Sequence, residues 1–280
     1  MTTGNRYGRV SRLELTAERA GAETVLSHAY ARAPYRVMKP FSATRPGGSL
    51  RVMTMSSSAG IMAGDEQQVR VAVEAGASLT VTSQAFEKVH RMLGDAAARR
   101  DVVLTVGAGA RLVFLQQPVI PYAGSRFATS TQVELADGSA SLAYGEVLCC
   151  GRVARGERFQ FDRFVNRVDV RVGGALAYAD NTVLEPAGAD YEGLGFFEGY
   201  THLANGVLLG PDLDEERFAD VRARLAERTW ELGIIGGVTH LGSVGAHAAD
   251  DVGAPRGWLV KLLGTRADEL QALLAAIIDM

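Results

Sequence analysis

The sequence predicts a mainly β protein: stacked antiparallel β-sheets in an open, helix-like arrangement, with two α-helices in the carboxy-terminal part. Three observations carry that expectation. The first two hundred residues fall into period-two apolar runs, each broken by a Gly-containing turn. Four such units resemble one another at a spacing of roughly thirty to thirty-five residues, as stacked layers do. Late in the chain the apolar period changes, twice, to that of a helix.

The units follow in order. QVRVAVEAGASLTVT alternates Val69, Val71 and Val73, then Leu79 and Val81, across a turn at Gly76. DVVLTVGAGARLVFL repeats this with Val102, Leu104 and Val106, then Leu112 and Phe114, across Gly109. TQVELADGSASLAYGEVL turns at Asp137-Gly138, and RVDVRVGGALAYAD at Gly173-Gly174. Each reads as a hairpin, and a plain meander of hairpins is the alternative to stacked layers. In DLDEERFADVRARLAERTW, Phe218, Val221 and Leu225 stand at helical spacing, with Asp212 and Glu215 as a capping box. In TRADELQALLAAIID, Leu270, Leu273, Leu274, Ile277 and Ile278 form one stripe, with Thr265 and Asp268 capping its start. Between the helices, WELGIIGGVTHLG and GWLVKLLG read as strands. No linker divides the chain, so residues 1–280 are taken as one domain, 1–205 mainly β and 206–280 helix-containing.

With 47% hydrophobic and 22% charged residues among 280, the chain can bury a sizeable core. A net charge of −3 argues against a general nucleic-acid or anionic-membrane surface. The start, MTTGNRYGRVSRLEL, lacks the apolar stretch of a secretory leader, and the run from Leu270 to Ile278 is too short to span a bilayer. Two cysteines make no disulfide framework. The cytoplasm is the simplest location.

The stretch EVLCCGRVARGERFQF poses the functional question. Cys149 and Cys150 are strand neighbours, so they point to opposite faces and make a poor metal pair; they read as small apolar strand residues. Glu146 shares a face with Tyr144, Leu148 and Cys150, and both faces of that strand read as buried. A carboxylate there needs a partner or a polar cavity, unless it sits at a wet strand end or in a structural ion pair. Gly151 and Gly156 flank a loop in which Arg152, Arg155 and Arg158 could grip anions, with Glu157 able to neutralise one; a solvated hairpin loop is the plainer reading. SSSAGIMAGDEQQ, from Ser56 to Gln68, is Gly-rich but lacks the Lys-Ser/Thr ending of a phosphate loop and precedes a strand. Asp65 and Glu66 also speak against an anion there. Five histidines are scattered, and the spacing of His240 and His247 matches no ligand pattern. No Ser-His-Asp arrangement or HExxH motif is legible.

Taken in order, the segments AGD, GASLTVTSQAFEKVHR, LQQPVIPYAGSRF, GEVLCCGRVARGERF and GALAYADNTVLEP resemble the urease accessory protein family UreD, also called UreH. The resemblance runs from about Pro34 to about Pro186. It rests on Gly64-Asp65, Gln84 with Lys88, QPVIPYAGSRF with Pro118, and Glu146 followed by Gly151, Arg152, Gly156 and Glu157. It implies a protein that is not an enzyme. Such a protein binds apo-urease and UreF, reaches the GTPase UreG through UreF, and helps deliver nickel to the urease active site. Nickel is then cargo in transit and not a permanent cofactor. A path lined by Asp65, Glu146, Glu157 and Asp180 would suit a hydrated dication, because nickel accepts carboxylate and water and transfer needs exchangeable ligands. The residues alone leave two rivals: a hydrolase built on a carboxylate pair such as Glu146 with Asp180, or a structural β-solenoid with no metal role.

Overall fold

The computed structural model describes residues 10–41, 49–241 and 257–278; residues 1–9 and His247 lie outside them. The chain opens with an antiparallel hairpin, β1 (Val10–Ala20) and β2 (Glu23–Arg32), followed by β3 (Tyr35–Val37) and β4 (Leu50–Ser56). It then coils. β5 (Glu66–Val73) leads to β6 (Ser78–Ser83) and the short β7 (Glu87–Val89); β8 (Ala98–Val106) leads to β9 (Arg111–Leu115) and the short β10 (Val119–Pro121). β11 (Arg126–Leu135) leads to β12 (Ser141–Cys149), and β13 (Arg163–Val172) turns back through β14 (Ala175–Leu184). β15 (His202–Leu209), α1 (Glu215–Leu232), β16 (Ile235–His240), β17 (Gly257–Gly264) and α2 (Ala267–Ile278) complete the described chain.

The expected class is met: mainly β, layered in a helix-like coil, with both helices late. The direction of pairing differs from the hairpin expectation. β5 does not pair with β6 across Gly76; it pairs in parallel with β8, one repeat away, while β6 pairs in parallel with β4 and β9. The turns at Gly109 and Asp137-Gly138 behave the same way, handing the chain from one sheet to the other. Only the Gly173-Gly174 turn makes the hairpin read from it, β13 with β14. The physical reason is that a Gly turn between two alternating runs serves either geometry. In a hairpin the two apolar sides lie side by side on one face of a sheet, and in an arc they face each other across the core, so the same residues are buried either way.

Two sheets result. One has seven strands in the order β14-β13-β11-β8-β5-β1-β2; the other has ten, with the path β16-β17-β15-β12-β9-β6-β4-β3 and β7 and β10 beside it. Their inner faces enclose the main core, where Leu79, Leu104, Leu112 and Val170 are completely covered. Each such side chain contributes roughly 1.5–3 kcal/mol by leaving water. On the outer face of the ten-stranded sheet, Val113, Leu115, Ala143, Val147 and Cys149 pack under Val221 and Leu225 of α1 and Leu270, Leu274 and Ile277 of α2. β12 is therefore buried on both sides, as its sequence implies. The cap of α1 is Asp214, whose Oδ1 accepts from the Arg217 N–H at 2.8 Å, and not Asp212. Residues 230–232 of WEL belong to that helix; the strand begins at Ile235.

The Gly arcs collect at one end of the coil. The longer return segments, which carry AGD, QAFEKVHR, QPVIPYAG and GRVARGE, collect at the other. There β7 and β10 pair in parallel and β10 touches β12 at Leu148. A third apolar cluster, including Ile61, Val89, Phe127, Phe161, Phe164 and Phe197, packs these segments together.

Candidate functional site: a polar cavity between the sheets

Alternation that buries apolar rows at the arc end brings polar rows inward at the return end. On the seven-stranded sheet one register line reads Ser11, Gln67, Arg100, Thr129, Asn166, Thr182. Two residues nearer the arc end, the line reads Leu13, Val69, Val102, Thr131, Val168, Asp180. On the facing sheet, Thr54 stands beside Ser83, Gln116 follows Leu115, and Glu146, Asn205 and Lys261 lie in one line. Between these polar rows runs a cavity of about 210 Å³; Tyr35, Ser58, Gln84 and Lys88 line one side and Glu146, Asn166, Thr182 and Asn205 the other. Among the described residues, no histidine or cysteine lines it.

Glu146 sits at the second side. It comes from the middle of β12, and Tyr144, one inward position before it, donates its hydroxyl to Oε2 at 2.7 Å. Asn166 and Asn205 donate their side-chain N–H groups to Oε1 at 2.5 and 3.2 Å. The carboxylate lines the cavity and is half-buried. Burial pushes its pKa up; the three hydrogen bonds oppose that, and the nearby charge of Asp180 adds to it. Burial also raises the Tyr144 hydroxyl, and the Glu146 charge raises it further. Among the described residues Glu146 makes no ion pair: every partner is neutral.

The opposite side carries its own charge system. Arg100 reaches across from β8 to Glu87 of β7 and binds Gln67 Oε1 through Nε at 2.9 Å. Tyr35 packs beside them, its hydroxyl pushed up to about 12 chiefly by burial. This cluster ties the two sheets together and closes its charges among themselves.

A family model described as the UreD urease accessory protein matches residues 9–280. Such coverage decides the matter. The chain belongs to the UreD family of urease accessory proteins. A relative named urease accessory protein UreD, from Acetivibrio thermocellus, is 37% identical over 201 residues, covering 72% of this chain and 76% of its own. One named urease accessory protein UreH, from Helicobacter pylori, is 33% identical over 241 residues, covering 85% and 87%. A third, UreD of Haloarcula marismortui, is 32% identical over 267 residues, covering 95% and 84%.

The positions carrying the family resemblance divide by place in this UreD fold. Gln84 and Lys88 line the first side of the cavity, and Pro118, buried, receives the Glu87 N–H on its carbonyl at 2.8 Å. Gly64 and Asp65 form the turn into β5, where Asp65 Oδ2 accepts from the Met62 N–H at 2.8 Å. Glu157 accepts from Arg152 Nε at 2.7 Å, and the Arg152 guanidinium lies 4.2 Å from the centre of the Tyr122 ring. The Arg152 bond holds the Glu157 carboxyl below its usual range. Gly151 has φ 145°, and a Cβ there would stand 2.6 Å from the Glu157 carbonyl oxygen, so only glycine lets the loop close. Gly156 ends the short 3₁₀ turn Val153–Arg155 in the left-handed region. Asp65 and Glu157 do not line the cavity; Glu146 does. Asp180 lies beside it, accepting from Thr182 Oγ1 and pairing with Lys261, each at 3.3 Å. Asn166, Asn205, Gln67 and Arg100 went unremarked in the sequence reading. Their signal was a polar residue at an inward position of an apolar alternation, as in Phe164, Asn166, Val168.

Cys149 and Cys150 are both buried and free; Cys149 is the last residue of β12, while Cys150, expected in the same strand, lies in the bend after it. Among the described residues, no three His, Cys, Asp or Glu side chains gather into a metal centre, and no helix is long and apolar enough to cross a membrane.

Proposed function

We propose that this chain is a urease maturation scaffold, not an enzyme, acting in the cytoplasm without nucleic-acid or membrane partners. It binds apo-urease and UreF, with UreG held through UreF, and nickel crosses it along the polar cavity toward the urease active site. One observation carries this reading: in a urease accessory protein, Glu146 is held inside the sandwich against neutral donors alone. A buried carboxylate without a counter-charge is expensive, and a passing dication supplies the missing charge. Oxygen donors suit passage because they bind nickel weakly and release it. Asp180 extends the negative potential beyond Glu146. Asp65 and Glu157 serve the route by holding the turns around it, since a backbone N–H and Arg152 engage their oxygens.

The test is Glu146→Gln and Asp180→Asn, each scored for assembly with UreF and apo-urease and for urease activation at limiting and excess nickel. Normal assembly with poor activation at limiting nickel, partly restored by excess, is the expected result. Full activation at limiting nickel in the Glu146 variant overturns the route; lost assembly makes Glu146 a structural residue.

A further inference from the structure

Asn166 and Asn205 are 4% and 5% exposed, and both line the cavity. Each turns its side-chain nitrogen to Glu146. Their Oδ1 atoms, covered from bulk solvent, are left with no hydrogen-bond partner. The orientation is not free to reverse, because a flipped amide would set its oxygen against the carboxylate oxygen. Glu146 thus fixes the amides, and fixing them creates two unsatisfied acceptors beside a carboxylate. Buried polar atoms of this kind are exceptional and call for a donor.

The required donor has a definite character. The amide oxygens need O–H or N–H groups, and Glu146 needs positive charge. Of the nearby cations, Lys261 is held by Asp180 and Arg100 by Glu87, and Lys88, which lines the other side of the cavity, makes no ion pair with Glu146. Plain water answers the first need only. A hydrated cation answers both, because its bound waters are polarised donors and its charge offsets the carboxylate. Direct ligation at Oε1, which already accepts from both asparagines, would displace one of them, whereas a hydrated ion leaves all three hydrogen bonds of Glu146 in place. We infer that Glu146, Asn166 and Asn205 form an outer-sphere site for a hydrated divalent cation, gripping it through its own water shell. This rests on the cavity being the metal's route and names the form in which the metal travels it. The chemical class follows from the oxygen acceptors of Glu146, Asn166 and Asn205: small hydrated dications as a group. Choice of nickel over its neighbours is then made outside this cavity.

Hexaamminecobalt(III) provides the probe. It has the size of a hydrated ion, donates hydrogen bonds, and cannot exchange its ammines for protein ligands. The full-length chain labelled with nitrogen-15 is titrated with this ion and, separately, with nickel(II), while the side-chain amide resonances of Asn166 and Asn205 are followed. Both ions are expected to perturb the same two amides, with contacts from ammine protons to them. Glu146→Gln should weaken both on the order of tenfold, which is the loss of one charge–charge attraction. Asn205→Leu, which keeps the carboxylate, should weaken the cobalt complex too and serves if the Glu146 variant does not fold. If nickel perturbs the amides and hexaamminecobalt does not, ligation is direct; the inference falls while the route stands. If neither ion perturbs them, the inference falls as well, and activation at limiting nickel separately decides the route.

Discussion

Replacing His202 with Asn should remove an acid weakness from the fold. His202 begins β15, is 7% exposed, and has Nδ1 2.7 Å from Thr201 Oγ1. Burial drives its pKa down to about 4, with Asp268 and the backbone bond to Gly264 opposing in part. An unfolded histidine takes its proton near 6.5. The folded state therefore binds fewer protons through that window. Its stability is fully present above about 6.5, falls with acidification, and levels off below about 4. Between about pH 7.5 and about pH 4.5 this linkage amounts to about 2.5 kcal/mol. Asn keeps a hydrogen-bonding group for Thr201 and takes up no proton. Urea unfolding of both proteins at the two pH values measures the effect through the shift in midpoint. The variant should gain on the wild type by about 2.5 kcal/mol as the pH falls. A gap unchanged between the two pH values would show that His202 is protonated in the fold, and the reasoning from burial would fail.

Other expectations concern packing and the return loops. Gly145→Ala places a Cβ 2.6 Å from Leu115 Cδ1, next to Glu146, and should destabilise by about 1–3 kcal/mol, read by denaturant midpoint. Leu104→Ala, at a fully covered centre of the core, should cost about 2–5 kcal/mol in the same assay. Changing Cys149 and Cys150 together to Ser should cost roughly 1–3 kcal/mol each yet leave urease activation intact, since burial pushes the Cys149 thiol up to about 12 and keeps it from becoming a thiolate. A folded double variant that assembles but fails to activate would give the thiols a metal role. Arg152→Ala should lower the melting temperature and weaken partner assembly more than it lowers activation per assembled complex, because it releases Glu157 and uncovers Tyr122.

The strands were legible because their pattern is local: Val69, Val71 and Val73 announce one buried face whatever lies beside it. The partner of that strand was not legible, since parallel β8 and an antiparallel neighbour bury the same residues. Glu146 stood out because β12 is apolar on both faces, so any carboxylate within it must meet something built for it. Its neighbours did not stand out. Asn166 and Asn205 are separated from it by 20 and 59 residues, and only the pairing of β15 with β12 and the packing of β13 from the facing sheet bring them together. Asp65 and Glu157 were equally visible as carboxylates in glycine-rich turns. Their engagement by Met62 and Arg152 is a matter of loop geometry that composition does not encode.

Among the described residues, every outer edge of the two sheets ends in a strand that runs against its neighbour: β2 and β14 on one sheet, β3 and β16 on the other. A coil of parallel strands is open at both ends, and an identical molecule laid against it would continue the winding without limit. Here the winding stops inside the chain: beyond β1 and β13 the backbone reverses into β2 and β14, so each end layer is closed by a hairpin. The coil is thereby finite. Its length, and with it the length of the cavity between the sheets, is set by where the chain reverses.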